Sequence, residues 1–178
     1  MKKIFAIGAL WAAAAIGAAA QSATPQAAKP QDPWAKLGFL LGDWVGVDTG
    51  APGEGTGACT FAFALDKSVL VRTSWAKFPP KPGEKTGISH EDLLYIYPAG
   101  AGAFRAVYFD NEKHVISYVL SFPAKAKAVT FESDPAMKGP RYRMTYEQAS
   151  DGTLKNVFAI APPGQDFTAH VEGTLKHK

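Results

Sequence analysis

The sequence predicts an all-β fold: a single antiparallel β-barrel of about ten short strands, entered through a short N-terminal helix and preceded by a cleaved signal peptide. Three observations carry this. From Trp44 onward, strand-length apolar runs alternate with turn signals at regular spacing. Many of those runs are apolar on both parities, whereas a sheet wet on one face alternates cleanly. In "AFRAVYFD", Phe104, Ala106 and Tyr108 share one face while Val107 and Phe109 share the other, so the expected sheet closes on itself. Lastly, the chain opens with a basic Met1-Lys2-Lys3, an Ala-rich apolar run from Ile4 to Gly17, and small residues at Ala18-Ala19-Ala20.

Each element follows in order. Residues 1–20 have the tripartite pattern of a secretory signal peptide, which places the mature protein in the periplasm. No Cys follows the apolar run, so a lipid anchor is not expected. Residues 21–33, "QSATPQAAKPQDP", are polar with three prolines and read as a flexible linker. The domain proper is expected over 34–178. "WAKLGFLL" spaces Trp34, Leu37, Leu40 and Leu41 as one or two helical turns capping a core, and Pro33 suits the start. Strands are expected at 44–48, 58–65, 68–77, 90–97, 103–110, 114–122, 128–133, 141–147, 153–161 and 167–176. Asp66-Lys67 reads as a tight turn, and residues 78–87 as a long Pro/Gly loop. Asp110 to His114 fits a three-residue hairpin loop with a bulge. That sets Asp110 opposite His114 and Lys113 in the left-handed region, at a cost of about 1 kcal/mol.

Composition narrows the function. The chain of 178 residues carries 19 Lys and Arg against 16 Asp and Glu. Removal of the leader takes two lysines and no acid, leaving a near-neutral domain without the footprint of a nucleic-acid binder. No membrane span remains once the leader is cleaved. Cys59 is the single cysteine, so no disulfide closes within the chain; in its alternating apolar run it reads as a small buried hydrophobe. A monomer or weak homodimer is expected. No motif calls for a cofactor: there is no nucleophile elbow, zincin helix, phosphate loop or dinucleotide fingerprint.

Four stretches, "FLLGDWVGV", "HEDLLYIYP", "RAVYFDNEKHVISY" and "EGTLKHK", are similar in order and spacing to a family of exported bacterial proteins of unknown function, the DUF1579-type domain of the calycin-like barrels. The resemblance covers roughly residues 35–178. Lys113 departs from it, standing where Gly is expected. The Gly-x-Trp start echoes lipocalins and the nitrobindin-like haem barrels. The resemblance implies that Trp44 closes one barrel end, with Lys176 or Lys178 over the indole. Such a cation over an exposed ring contributes about 0.5–1 kcal/mol. The family supplies no catalytic residues.

Candidate binding residues come from chemistry. A small apolar or amphipathic ligand held in a dry barrel needs one or two inward donors for its polar end. Arg72, Arg105, Arg141 and Arg143 supply guanidinium groups, Tyr108, Tyr118 and Tyr142 supply hydroxyls, and His90 and His114 stand near them in sequence. The plain alternative turns each Arg outward with its stem over the barrel surface. A second hypothesis is a hydrolase-like or metal-assisted enzyme using His90, Asp92, Asp110 and His114. A third is a filled barrel that docks a partner through outer aromatics. By analogy with the haem barrels, His170 is a candidate axial ligand.

Overall fold

The computed structural model describes residues 32–47, 54–124 and 126–178. The expected signal peptide, nearly all of the expected linker and part of the Gly-rich loop after Val47 lie outside them. The described chain forms one closed antiparallel barrel of ten strands. These are β1 (Gly42–Gly46), β2 (Thr56–Ala64), β3 (Val69–Phe78), β4 (Ile88–Pro98) and β5 (Phe104–Asp110), then β6 (Val115–Ser121), β7 (Ala128–Ser133), β8 (Arg141–Gln148), β9 (Leu154–Ala161) and β10 (Thr168–His177). Every strand pairs with its sequence neighbour, and β1 closes the ring against β10 through Trp44–His177, Val45–Lys176 and Gly46–Leu175. Among the described residues no helix is long and apolar enough to cross a membrane.

The expected N-terminal helix is two 3-10 turns, Pro33–Lys36 and Gly38–Leu40. The apolar spacing explains this. Trp34, Leu37 and Leu40 recur every three residues, which aligns them on one side of a three-residue turn. Pro33 occupies the first turn, and the Asp32 carboxylate caps it by accepting from the Trp34 N–H at 2.9 Å. The turns plug one end of the barrel: Trp34 packs against Phe63 and Phe104 at about 5 Å between ring centres.

The register settles which parity faces inward. On β5, Phe104 and Ala106 are buried and Arg105 and Phe109 exposed; on β6, Ile116, Tyr118 and Leu120 are buried. A chain of edge-to-face rings, Phe61–Tyr146–Phe131–Tyr118–Tyr108, fills the interior. The outer apolar residues that blurred the sequence pattern are Trp75, Leu93, Tyr95 and Phe109 on β3 to β5.

Two hairpins are informative. At residues 110–114 the expected loop forms, with Lys113 at φ 74 and its N–H donating to the Asp110 carbonyl at 3.1 Å. The β2–β3 turn is longer than the Asp66-Lys67 pair expected. Leu65, Asp66 and Lys67 all take positive φ, and the Ser68 N–H closes the loop on the Leu65 carbonyl at 2.9 Å.

Candidate functional site

Beyond the plug, the inner face carries a polar layer. Arg72 on β3 and Asp92 on β4 share the inward parity and form an ion pair, with Arg72 only 4% exposed and Asp92 8%. The Arg72 guanidinium also donates to the Tyr146 hydroxyl and to Met144 Sδ at 3.1 Å, both from β8. Its Nε is buried with no partner. Burial works against the Arg72 cation, yet Tyr146 and Asp92 beside it hold the group firmly charged. Burial drives the Tyr146 phenol well above its usual range, and Arg72 draws it only partly back. Burial likewise pushes the Cys59 thiol up to about 11 against the pull of Arg72, which fits an inert packing residue.

Further contacts lie toward the unplugged end. His90 Nε2 stands 2.9 Å from the Tyr108 hydroxyl and 3.6 Å from Asp92 Oδ2, and His90 Nδ1 stands 3.1 Å from Glu112 Oε1. Burial raises Tyr108 far above the ordinary phenol range, and Asp92 adds to the shift. Tyr118 behaves likewise, with burial dominant and Arg72 opposing. Tyr142 on β8 and Phe158 on β9 stack with nearly parallel rings at 6.1 Å and are half-buried. Together these side chains make the mouth of the barrel.

The structure therefore brings Arg72, His90, Asp92, Tyr108 and Tyr118 into one neighbourhood, with Tyr142 beside it. It does not bring in the others. Arg143 turns outward, bonding Glu132 at 2.9 Å and lying 3.8 Å over the Phe167 ring. Arg105 pairs with Asp134 on the surface, and Arg141 lies 4.7 Å from the Phe167 ring centre. His114 is exposed at the hairpin base, where Asp110 accepts from its ring at 2.8 Å and from its backbone N–H at 2.9 Å. Backed by these bonds, the Asp110 carboxyl sits below the usual range despite the opposing effect of burial.

Three expectations change. The residue over Trp44 is His177, its ring centre 3.7 Å away, while Lys176 pairs with Val45 and is exposed. The alternation of β10 requires this, because Trp44 and His177 are directly opposed. Among the described residues no group of three or more His, Cys, Asp or Glu is placed to hold a metal ion; the two histidines engage separate carboxylates. His170 sits exposed at a bulge in β10 with only the edge of Phe158 beside it, and the flanking Ala169, Val171 and Glu172 are exposed too. That setting does not fit the dry, plane-wide slot that a haem ligand needs. Sequence reasoning missed Tyr146 and Met144, although the period-two spacing Tyr142, Met144, Tyr146 was the available signal.

The outer face bears a different feature. There, the partly exposed Trp75, Leu93 and Phe109 line a hollow of about 680 Å³ that Cys59, Asp92 and Asp110 also line.

No protein-family model matches the chain, and no curated protein matches it. Among solved structures, the crystal structure of Rv2717c from M. tuberculosis is similar, with a TM-score of 0.54 and 18% identity over 82% of this chain and 97% of that one. At that identity the likeness shows the fold alone: a small antiparallel β-barrel.

Proposed function

We propose that this is an exported, non-catalytic binding barrel that takes a small amphipathic ligand at its mouth, above the Arg72–Asp92 layer. One observation carries the reading: a buried ion pair with an orphaned Arg72 Nε, covered by the half-buried His90, Tyr108, Tyr142 and Phe158. Stability alone does not ask for such a layer, since apolar residues of similar volume commonly match or exceed a buried pair. An unpartnered buried N–H costs roughly 1–3 kcal/mol, which a binding role accounts for and packing does not. The leader pattern supports export to the periplasm, and the four sequence stretches support a place among the DUF1579-type proteins.

The test is native mass spectrometry of the mature protein recovered gently from the periplasm. A discrete small-molecule adduct, lost in the Tyr142→Ala variant, is expected. A clean apo mass together with no mouth shifts on titrating amphiphiles by NMR would overturn the reading. A second reading, docking of a partner protein on the outer face, rests on the hollow beside Trp75 and predicts that Trp75→Ser abolishes co-purification of that partner.

A further inference from the structure

The outside of the barrel over β3 to β6 carries an apolar face. Leu93, Phe109 and Val115 stand directly opposed on β4, β5 and β6, and Tyr95 opposes Val107 in the next row. Their strand neighbours Asp92, Leu94 and Ile116 are buried, so the alternation of each strand turns these side chains out. Trp75 adjoins them on β3, between Ala58 on β2 and Glu91 on β4. Trp75, Leu93, Tyr95, Phe109 and Val115 stay between 38% and 56% exposed. The Tyr95 and Phe109 rings meet edge to face at 6.2 Å. A monomer seldom presents so continuous an apolar face unless something covers it.

The charges beside Trp75 indicate what that cover is. Glu91 is directly opposite Trp75, and Lys77 lies two residues along β3 with its Nζ 5.7 Å from the Trp75 ring centre. Both are exposed, and both line the hollow with Trp75. They sit diagonally, because Lys77 opposes Ser89 rather than Glu91. No ion pair ties either of them to another described residue. An unpaired cation and an unpaired anion therefore flank one exposed indole. Their charges sum to zero, so the face does not select a strongly acidic or strongly basic partner. It does match itself. A second copy turned about a two-fold axis beside Trp75 sets Lys77 against Glu91 twice, which is the reciprocity that an isologous contact requires.

We infer that the face around Trp75 is the contact between two copies of this chain, with the two indoles packed at a two-fold axis and Lys77 of each protomer paired with Glu91 of its partner. The inference rests on the second reading above, docking on the outer face, and names the partner. Trp75 at the axis is the aromatic anchor, and Leu93 and Phe109 lie beside it within the contact. The two ion pairs fix the orientation, since any other rotation leaves Lys77 and Glu91 unmatched. The apolar face is four strands wide, about 15 Å across. A contact of that size is below the usual stable interface, so the dimer is weak, of micromolar affinity or weaker.

The experiment is sedimentation equilibrium of the mature protein from about 1 μM to about 1 mM. Dimers should appear as the concentration rises. Trp75→Ser should weaken them about tenfold or more. Lys77→Glu and Glu91→Lys should each do the same, because either reversal sets like charges together at both symmetry-related contacts. All three positions are exposed, so the melting temperature of dilute protein should stay where it is. An equimolar mixture of the Lys77→Glu and Glu91→Lys chains should recover dimers, since each supplies what the other lacks, and the double reversal in one chain should recover them too. Dimers that Trp75→Ser leaves intact would place the contact elsewhere and overturn the inference. Dimers lost in both reversals but absent from their mixture would overturn the two-fold pairing. A monomer at every concentration would also overturn the inference. In that case a different protein that co-purifies with the full chain and is lost in Trp75→Ser would leave the docking reading standing, and co-purification of nothing would overturn both.

Discussion

Trp44 is the residue on which most depends. It is fully buried, its indole N–H donates to the Leu40 carbonyl at 2.7 Å, and its face carries His177. Trp44→Ala removes that bond and opens a cavity, so urea denaturation should show a loss of about 3–5 kcal/mol. Cys59 illustrates the opposite kind of residue. With its thiol raised to about 11, it should resist iodoacetamide at about pH 8 in the native state and react once the chain is unfolded. The same group links stability to pH. A thiol or phenol whose pKa is raised by folding contributes fully below its unfolded value and loses that contribution as pH rises through the folded one. Cys59, Tyr108, Tyr118 and Tyr146 all shift upward, so the melting temperature should fall on the alkaline side, beginning above about pH 9. Asp110 acts in the other direction: its carboxyl is lowered, so its contribution is present at neutral pH and fades as pH drops below its ordinary value. At this scale the sequence was legible for types and weak for orientation. Arg72 and Arg143 are the same residue in similar strands, and only register sends one to the core and the other to the surface. A one-residue slip would exchange them.

At the scale of elements, the 110–114 hairpin was readable because its chemistry is local. Asp110 caps the loop by accepting from the Glu112 and His114 N–H groups, and Lys113 bears the strain of φ 74. Lys113→Gly should therefore stabilise the protein, by at most about 1 kcal/mol, as measured by chemical denaturation. The entry turns were half readable. Their apolar residues were right, but spacing by three fits a 3-10 turn better than the α-helical reading. The β2–β3 turn was not readable: nothing in Leu65-Asp66-Lys67 announces three successive left-handed residues.

For the whole molecule, closure is the governing fact. The strand count and antiparallel order were legible from turn spacing, since each strand simply pairs with the next. The seam between the first and last strands was not, because it joins residues more than a hundred positions apart, and it moved His177 rather than Lys176 onto Trp44. The same distance hid the mouth, where Arg72 meets Tyr146 across the barrel. The seam is short, so it should be the weak point. Deleting residues 175–178 removes every β1–β10 pair and exposes two strand edges. Size-exclusion chromatography of that variant should show more association than the full chain at the same concentration.

The Trp44–His177 stack also makes the seam visible. Indole emission is quenched by a protonated imidazole in contact and recovers when the ring leaves. Trp44 emission should then change when the seam opens and the two rings part, and a His177→Phe chain should show a different change. The closing strand is thus an optical hinge pin, and stopped-flow fluorescence could time the last step of folding without any added dye.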